Sequence, residues 1–385
     1  MNNKVLIARL SNISGTDSAN IRTRNLISGL LELGYEIDLL GISDSDKALC
    51  DDLRLRFIEL ERISLYQNIK KETHMSAVKK IIIKLMRIGY HYFFVYDNTY
   101  FMLKKIDFNS LLLEEFYDSI ITISDPKTSH LIINKISKNI KYNKWYQYWG
   151  DPFTLDITRK NIYPRFILRV LEKKILKNAN KIIYVSPFTL KQQQNLFPSF
   201  KTKMMFLPPA YAISSYNQQN NKKDKSQNDK YVISYIGSYP SKIRNIMPLY
   251  DAIKKLNNSF KTYIIGDSDI SLQQTANITL GVRQNTEEIE AESDLHICLL
   301  NKEGGQIPSK VYYLSASTKP ILIILDGELK QDIKAFFKSF NRYYFCENNT
   351  TEIFQAINRI KEENKKFEII EDFSPKNIAE RFMEI

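Results

Sequence analysis

Basic residues and glycines of this chain stand immediately after apolar runs, a position where anions are often bound. The stretch after the run that ends at residue 300 supplies, in order, Glu303, Gly304, Gly305, Ser309 and Lys310. Pro308 is typical of the first turn of a helix, which places Lys310 in that turn. A cation there opposes the helix dipole by roughly 0.3–1 kcal/mol unless an anion neutralises it. The spacing therefore favours either a bound diphosphate or a solvated lysine beside a flexible loop.

A second basic stretch begins after Gly237. The sequence SYPSKIRN brings Lys242 and Arg244 close to the end of an apolar run at residues 231–236. The guanidinium group of arginine can bind two phosphate oxygens at once. Surface loops with two basic residues are usually solvated, but two such stretches in one half of the chain indicate an anionic ligand.

A comparable loop lies in the first half. Gly15 and Thr16 precede a helical pattern whose first turns carry Arg22 and Arg24. We expect these cations to approach the same ligand from the other side. The dinucleotide-binding fingerprint of three spaced glycines is absent, which disfavours nicotinamide and flavin cofactors.

Apolar periodicity predicts the elements that position these residues. In the first half it predicts strands at residues 4–10, 35–40, 119–123 and 181–185. It also predicts helices at residues 21–33 and 165–177. Strands that alternate with helices are typical of a doubly wound parallel sheet. The first half therefore predicts one Rossmann-like domain.

The second half repeats this order. It has predicted strands at residues 231–236, 262–265, 278–282, 296–300 and 320–325, with a helix near 245–256. Residues 214–230, between the halves, contain no aliphatic side chain, so they cannot bury a core and predict an exposed connector. We expect an α/β protein with domains at 1–212 and 230–372, a connector at 213–229, and a helix at 373–385 that returns to the first domain.

Composition limits the class of protein. The 385 residues exceed what one core usually supports, and 43% hydrophobic with 25% charged residues is typical of a soluble chain. A net charge of +12 indicates an anionic partner, such as nucleic acid, acidic lipid or a phosphorylated small molecule. The basic residues are spread along the chain, which disfavours nucleic acid.

Other patterns argue against secretion and against metal binding. The N-terminal apolar run predicts neither a signal peptide nor a membrane span, and the three cysteines lack a pairing pattern, so we expect a cytoplasmic protein. Two Asp-Ser-Asp triplets, at 44–46 and 267–269, are interpreted as turns because aspartate and serine favour them. Four scattered histidines disfavour a zinc site.

Residues 79–96 read KKIIIKLMRIGYHYFFVY. The segment is too short and too charged to span a bilayer. Basic and aromatic residues together favour the headgroup layer of an anionic membrane. The alternative is a strand or helix of the domain core with solvated lysines.

The order of four segments, at residues 27–41, 171–198, 235–253 and 307–324, resembles that of bacterial retaining glycosyltransferases of the GT-B fold. That group builds surface polysaccharides such as capsule and O-antigen. The resemblance covers nearly the whole chain and is best at 181–198 and 307–324. It implies two Rossmann-like domains facing a central cleft, a UDP- or GDP-linked sugar as donor, and a saccharide or lipid-linked saccharide as acceptor. It also implies retention of configuration without a metal or a tightly bound cofactor.

The resemblance further implies roles for particular residues. The donor diphosphate would be held by Gly237, Lys242, Arg244 and Lys310. The nucleotide base would be met by Gly281, Val282 and Arg283, and the transferred sugar by Glu303. The remaining residues expected at the nucleotide-sugar site are Gly15, Gly304, Gly305, Ser309 and Tyr313.

One position departs from the family pattern. Related sequences read P-x-K-x-x-E-Y, whereas this chain has Tyr313 in place of the glutamate that binds the ribose hydroxyls. A phenol can donate to ribose but cannot accept from two hydroxyls as a carboxylate does. The substitution therefore affects the affinity or identity of the donor.

Asp151 is the candidate on the acceptor side. It lies in the turn Trp149-Gly150-Asp151-Pro152, where related enzymes have a polar residue. It either orients or deprotonates an acceptor hydroxyl, or it caps the turn before Pro152.

Two other functions stay open. A non-catalytic, nucleotide-sugar-binding relative in a polysaccharide assembly complex is suggested by Tyr313 and by the lack of an obvious base. A sugar-nucleotide epimerase shares the fold but needs acid and base groups, and the scarcity of histidine counts against it.

Overall fold

The chain folds into two compact units. The computed structural model describes residues 3–42, 52–60, 83, 85–86, 89–90, 92–97, 99–108, 111–159, 162–211, 230–282 and 286–385. Unit 1 comprises Met1–Leu207 and Glu380–Ile385, and unit 2 comprises Pro208–Ala379. The connector predicted at 213–229 lies outside the described residues. Within the described ranges, no helix is both long and apolar enough to cross a bilayer.

Unit 1 is built on a seven-stranded parallel sheet. Its strands are β1 (Lys4–Ala8), β2 (Glu36–Gly41), β3 (Leu55–Glu59), β4 (Phe116–Ile123), β5 (Lys141–Trp149), β6 (Lys181–Tyr184) and β7 (Met204–Phe206). Their order across the sheet is β3-β2-β1-β4-β5-β6-β7. Its helices are α1 (Ser18–Glu32), α2 (Thr99–Lys105), α3 (Ile133–Ile136), α4 (Arg165–Leu176) and α5 (Pro187–Leu196).

The central strands β1 and β4 of unit 1 are mostly buried, as expected where helices cover both faces of a parallel sheet. The aromatic run WYQYW, to which the sequence analysis assigned no element, forms the buried end of β5. Its one polar side chain, Gln147, is also buried and donates from Nε2 to the carbonyl of Ile175 at 2.7 Å. A satisfied amide is thus accommodated in an otherwise aromatic strand.

Unit 2 is built on a six-stranded parallel sheet. Its strands are β8 (Tyr231–Ile236), β9 (Phe260–Ile265), β10 (Ile278–Gly281), β11 (Leu295–Leu299), β12 (Ile321–Leu325) and β13 (Tyr343–Glu347), in the order β10-β9-β8-β11-β12-β13. Its helices are α6 (Met247–Lys254), α7 (Thr286–Glu292), α8 (Lys310–Tyr313), α9 (Lys330–Lys338), α10 (Thr350–Glu363) and α11 (Pro375–Glu384). The last residues of α11 belong to unit 1.

Local sequence sets several helix ends. The side chain of Asp17 accepts from the main-chain N of Asn20 at the start of α1, and that of Asn349 accepts from the N of Glu352 at the start of α10. Helix α10 ends at Asn364, which has a left-handed φ of 41°. Each residue type is one that favours such a cap.

The α/β class and the two parallel sheets predicted from the sequence are confirmed. The predicted helix near 245–256 is α6, and the predicted helix at 165–177 is α4. In the C-terminal helix, the ring of Phe382 lies 5.4 Å from the rings of Tyr146 and Tyr148 of β5.

Candidate functional site

The strand order of unit 2 creates a switch point between β8 and β11. From β8 the chain continues to β9 on one side, and β11 lies on the other side. Ligands of doubly wound sheets bind beyond the carboxyl ends of the strands at such a point. The loops that leave β8 and β11 there are the two basic stretches found in the sequence.

Arg244 joins these two loops. Its Nη1 donates to the carbonyl of Ser238 at 2.5 Å, and its Nε donates to Oδ1 of Asn301 at 3.0 Å. Asn301 in turn donates from Nδ2 to the carbonyl of Gln306 at 2.9 Å. The guanidinium group of Arg244 is therefore held at the switch point, with its side chain partly buried.

Lys302 adds two further bonds between the loops. Its main-chain N donates to the carbonyl of Ile243 at 2.8 Å, and its Nζ donates to the carbonyl of Ser241 at 2.7 Å. The sequence did not single out Lys302 or Asn301. The signal that would have found them is their position directly after β11, where the loops of a switch point meet.

Glycines let the loops approach one another closely at this edge. Gly237 and Gly266 directly follow β8 and β9, and Gly281 ends β10. The N of Gly237 donates to the carbonyl of Ile265, and the N of Gly266 donates to the carbonyl of Gly281, both at 2.9 Å. A Cβ on Gly266 would overlap with the carbonyl of Gly237. The close approach of these loops therefore requires glycine.

Lys310 begins the short helix α8, as the sequence predicted for a cation in a first turn. Its Nζ forms an ion pair with Glu290 of α7, and both side chains are largely buried. Lys310 is thus paired with a carboxylate and is not a solvated lysine. A diphosphate at Lys310 would have to compete with the carboxylate of Glu290.

Both basic stretches act electrostatically on the same buried strand. Burial raises the pKa of Cys298 on β11 to about 12, against the opposite effect of the charges of Lys310 and Arg244. Burial, with a smaller effect of the charge of Lys310, lowers the pKa of His296 on β11 to about 3. The charges of Arg244 and Lys310 therefore both reach the carboxyl half of β11.

The other donor-site candidates lie along the same edge in different environments. Glu303 is exposed, and Gly304 has a φ of 80°, which glycine adopts without strain. Gly305 is buried and Ser309 immediately precedes α8. Tyr313, at the end of α8, is only 8% exposed.

Of the residues expected to meet the nucleotide base, two lie in the part of the chain that the structure describes. Gly281 is the last residue of β10, and Val282 after it is 59% exposed. Arg283 lies outside the described residues. Helix α7 begins three residues further on, at Thr286.

Lys242 is exposed and close to a carboxylate. Asp269 accepts from the N and the Oγ of Ser241, each at 2.6 Å. These bonds lower the pKa of Asp269, to which the charge of Lys242 adds. The triplet at 267–269 thus stabilises the turn that carries Lys242, whereas the triplet at 44–46 lies outside the described residues.

A cavity of about 510 Å³ in unit 2 does not lie at this edge. It is lined by residues just before β13 and just after α10, including Arg342 and Phe367. Arg342 donates from Nη2 to the carbonyl of Lys319 at 2.8 Å and stacks on the ring of Phe367. These contacts join segments of unit 2 that lie away from the loops after β8 and β11.

Unit 1 has its own switch point, between β1 and β4. Arg9, directly after β1, donates from Nε to the carbonyl of Asp125 after β4 at 3.0 Å. Arg22 of α1 donates to the carbonyl of Ser124, and a Cβ on Gly150 would overlap with its guanidinium group. Both arginines are at most 3% exposed. An arginine thus crosses the switch point in each unit.

The cations predicted near Gly15 are directed at main-chain carbonyls. Arg22 holds Ser124, and Arg24 donates from Nη1 to Gly15 at 2.7 Å and to Ile13. They position the loop between β1 and α1. The expectation that they also approach a ligand stays a prediction.

Asp151 belongs to an acidic group around Lys127. The Nζ of Lys127 lies 2.8 Å from Oδ2 of Asp156 and 3.1 Å from Oδ1 of Asp125. Burial alone would lower the pKa of Lys127, but the charges of Asp125, Asp156 and Asp151 hold it above its ordinary value. Asp125 has a side-chain exposure of 37% and so remains accessible. The sequence found Asp151 and missed Asp125, Lys127 and Asp156.

Solved structures match this architecture over almost the whole chain. A glycosyltransferase from Rickettsia africae ESF-5 aligns with 99% of this chain and 97% of its own, with a TM-score of 0.60 and 15% sequence identity. Anabaena Alr3699/HepE in complex with UDP aligns with 99% of this chain and 95% of its own, with a TM-score of 0.51 and 10% sequence identity. The same protein in complex with UDP-glucose aligns with 99% of this chain and 98% of its own, with a TM-score of 0.51 and 12% sequence identity.

The chain has the GT-B fold. No protein-family model matches it, and no curated protein sequence matches it. At such low sequence identity, the likeness to GT-B structures concerns the fold alone. The roles of individual residues therefore depend on the geometry at the two switch points.

Proposed function

We propose that this GT-B chain is a glycosyltransferase that takes a sugar from a nucleotide-diphosphate sugar. The observation that carries the proposal is the position of Arg244, which crosses the switch point of unit 2 between the loops that follow β8 and β11. A diphosphate is the ligand chemistry that suits a guanidinium group beside glycine amides. The UDP complexes of HepE, which shares the fold, favour a nucleotide as the anion.

The proposed mechanism is electrostatic. Arg244, Lys242 and Lys310 would stabilise the negative charge that develops on the leaving diphosphate as its bond to the sugar breaks. Cations fixed in advance are effective because they need no reorganisation during the reaction. The three hydrogen bonds that Arg244 and Lys302 make between the loops support such preorganisation.

Other residues would complete the donor site. The amides near Gly237 and Gly304 would face the phosphates, and Gly281 with Val282 would face the base. Glu303 would lie near the transferred sugar, which its exposure allows. Tyr313 would replace the ribose-binding carboxylate, and its burial favours a weaker ribose contact than a glutamate would give.

The acceptor would be bound by unit 1. Asp125 after β4 and Asp151 after β5, both near Lys127, are the carboxylates that would orient an acceptor hydroxyl. We propose a saccharide or lipid-linked saccharide acceptor, retention of configuration, and a role in surface polysaccharide synthesis at the inner face of the cell membrane. The resemblance in sequence supports these finer points.

The decisive experiment is a thermal-shift screen of the wild-type chain against nucleotides and UDP- or GDP-linked sugars. Ligands that bind only the folded state raise the unfolding midpoint, so a shift identifies the base. Release of labelled sugar from the donor that binds then tests turnover. No shift with any nucleotide would contradict the donor site.

A non-catalytic relative is the second candidate. The ion pair between Lys310 and Glu290 favours it, because one of the proposed diphosphate cations is already neutralised. This alternative predicts a nucleotide shift without donor hydrolysis or transfer. Turnover of any donor would exclude it.

A further inference from the structure

The cavity of about 510 Å³ in unit 2 is lined by two segments of the chain. One is residues 340–342, between α9 and β13, and the other is residues 365–372, between α10 and α11. Cavities of roughly 300–1,000 Å³ commonly hold small-molecule ligands. Of the described residues assigned above to the donor site, none lines this cavity. We call it the Arg342 cavity.

Arg342 is a buried cation in the wall of this cavity. It is only 2% exposed, although a guanidinium group stays charged at neutral pH. Its Nη2 donates to the carbonyls of Ser317 and Lys319. Its Nε and Nη1 have no hydrogen-bond partner among the described residues. Buried donors are normally bonded, because their desolvation otherwise costs free energy, so these two nitrogens are available to a ligand.

No carboxylate compensates the charge of Arg342. Among the described residues, no carboxylate oxygen lies within 4.0 Å of its guanidinium nitrogens. The group is faced instead by the ring of Phe367, with 4.7 Å between Cζ and the ring centroid. Burial lowers the pKa of Arg342 to about 10, against an opposite effect of Tyr343. An anion in the cavity would supply the charge that the protein does not.

The second segment brings two further cations to the cavity. Lys365 and Lys366 both line it, and both are exposed. The Nζ of Lys365 lies 5.0 Å from the centroid of the Phe367 ring, which also faces Arg342. Within the described ranges, neither lysine forms an ion pair with a carboxylate. Positive charge is therefore gathered around Phe367.

Main-chain bonds fix the two walls to the same turn. The N of Phe367 donates to the carbonyl of Thr318 at 2.9 Å, and the N of Ile370 donates to the carbonyl of Ser315 at 3.3 Å. The carbonyls that Arg342 binds, of Ser317 and Lys319, belong to this turn as well. The cavity is thus preorganised, which reduces the entropy lost when a ligand binds.

Three carboxylates also line the cavity, those of Glu368, Glu371 and Asp372. All three are exposed, so water screens their charges, whereas the guanidinium group of Arg342 is buried. Exposed carboxylates are good acceptors for the hydroxyl groups of a ligand. The lining therefore suits a molecule with an anionic group at one end and hydroxyls elsewhere.

We infer that the Arg342 cavity binds a phosphorylated small molecule, with its phosphate group at Arg342, Lys365 and Lys366. The Nε and Nη1 of Arg342 donate to phosphate oxygens, and the two lysines add charge. A phosphate monoester carries nearly two negative charges and three acceptor oxygens, which suits three cations better than a single carboxylate does. The inference goes beyond the proposed function, because this site does not depend on a nucleotide or on sugar transfer.

The test is titration calorimetry of the full chain with glucose 6-phosphate as the probe. We expect one binding site for glucose 6-phosphate, weaker binding of inorganic phosphate, and no binding of glucose. Sodium chloride at the same ionic strength is the reference for general salt effects. If neither phosphate compound binds, the inference is overturned, and Arg342 only holds the turn at residues 317–319.

Matched variants locate the site. Lys365→Gln with Lys366→Gln should weaken glucose 6-phosphate binding about fivefold or more and keep the wild-type unfolding midpoint, because both side chains are exposed. The control is Lys173→Gln with Lys174→Gln, which removes the same charge from two exposed neighbours on α4 of unit 1. An equal loss in the control would refute the location.

Arg342→Lys addresses the buried cation directly. The lysine keeps the charge but cannot donate to two phosphate oxygens while it holds the turn, so binding should weaken about tenfold or more. This variant also loses bonds to the carbonyls of Ser317 and Lys319, so its unfolding midpoint is measured alongside. If it does not fold, the pair of exposed lysines decides the location alone.

The outcome is separable from that of the proposed function. Arg244→Ala alters the donor site and should keep glucose 6-phosphate binding. Its loss there, with binding retained when Lys365 and Lys366 are replaced, would place the phosphate at the donor site and overturn the inference. Phosphate binding without any nucleotide shift would contradict the donor site and leave the Arg342 cavity standing, and a nucleotide shift without phosphate binding would do the reverse.

Discussion

At the scale of single residues, Arg244 combines a structural and an electrostatic role. It bonds Ser238 and Asn301 and carries the charge proposed to meet the diphosphate. Arg244→Ala should therefore abolish the nucleotide-induced thermal shift and lower stability by about 1–3 kcal/mol. Arg244→Lys keeps the charge but loses the planar guanidinium group that binds two oxygens at once. Compared with Arg244→Ala, it should therefore regain part of the stability and little of the nucleotide affinity.

Thermal denaturation with and without the nucleotide found by screening measures both effects. Arg359→Ala, which removes an exposed arginine of α10, is the control for net charge. A full nucleotide shift in Arg244→Ala would remove this residue from the site.

For the ion pair of Lys310 and Glu290, we predict a substitution that increases nucleotide affinity instead of lowering it. If a diphosphate competes with Glu290 for Lys310, then Glu290→Gln should increase nucleotide affinity about three- to tenfold while slightly reducing stability, because a largely buried cation loses its carboxylate. Titration calorimetry measures the affinity. Glu292→Gln, at the exposed end of the same helix, should leave it unchanged, and a weaker affinity in Glu290→Gln would show that the pair itself supports the site.

At the scale of elements, the contact between the ends of β8 and β9 is set by main-chain atoms. A Cβ on Gly266 would overlap with the carbonyl of Gly237, and a carbonyl cannot rotate away as a side chain can. Gly266→Ala should cost about 3 kcal/mol and displace the loop of Arg244, so nucleotide binding falls with stability. Urea unfolding and the thermal-shift assay report the two effects.

Gly281→Ala is the matched control at the neighbouring strand. Its Cβ would lie 3.0 Å from the Cδ1 of Ile265, a flexible side-chain end that can move. We expect less than half the loss of stability. Equal losses would show that strand ends tolerate no side chain at all, whatever the contact.

The burial of an element decides whether the sequence predicts it. Central strands such as β8, β11 and β12 are continuous apolar runs because both faces are covered. Charged residues interrupt β3, β13 is mostly half-buried, and β5 begins with exposed lysines, so their patterns are ambiguous. The cations of the loops that follow β8 and β11 were predictable from their place after strands. The partner of Lys310 was not, because Glu290 is twenty residues away and only the fold brings it close.

At the scale of the whole molecule, each unit contains a buried neutral histidine. Burial lowers the pKa of His296 in unit 2 to about 3 and that of His130 in unit 1 well below its ordinary value. The unfolded chain would bind protons near pH 6.5 that the folded chain does not. Stability is therefore complete above that pH and is lost as the pH falls from about 6.5 toward 3, at up to about 1.4 kcal/mol per pH unit for each histidine.

His296→Gln should flatten this dependence, since glutamine can replace the bond to Ser234 without titrating. Urea unfolding followed by circular dichroism at several pH values measures the slope. His130→Gln is the corresponding variant of unit 1, where both tryptophans lie, so fluorescence reports that unit. An unchanged slope in both variants would assign the acid sensitivity to the carboxylates instead.

The cross-linked loops of unit 2 also determine how a ligand would bind thermodynamically. Because Arg244 and Lys302 already fix the segments after β8 and β11 to each other, little conformational entropy remains to be lost there. The heat capacity change on association should consequently match the surface removed from water, without the larger value that accompanies coupled folding.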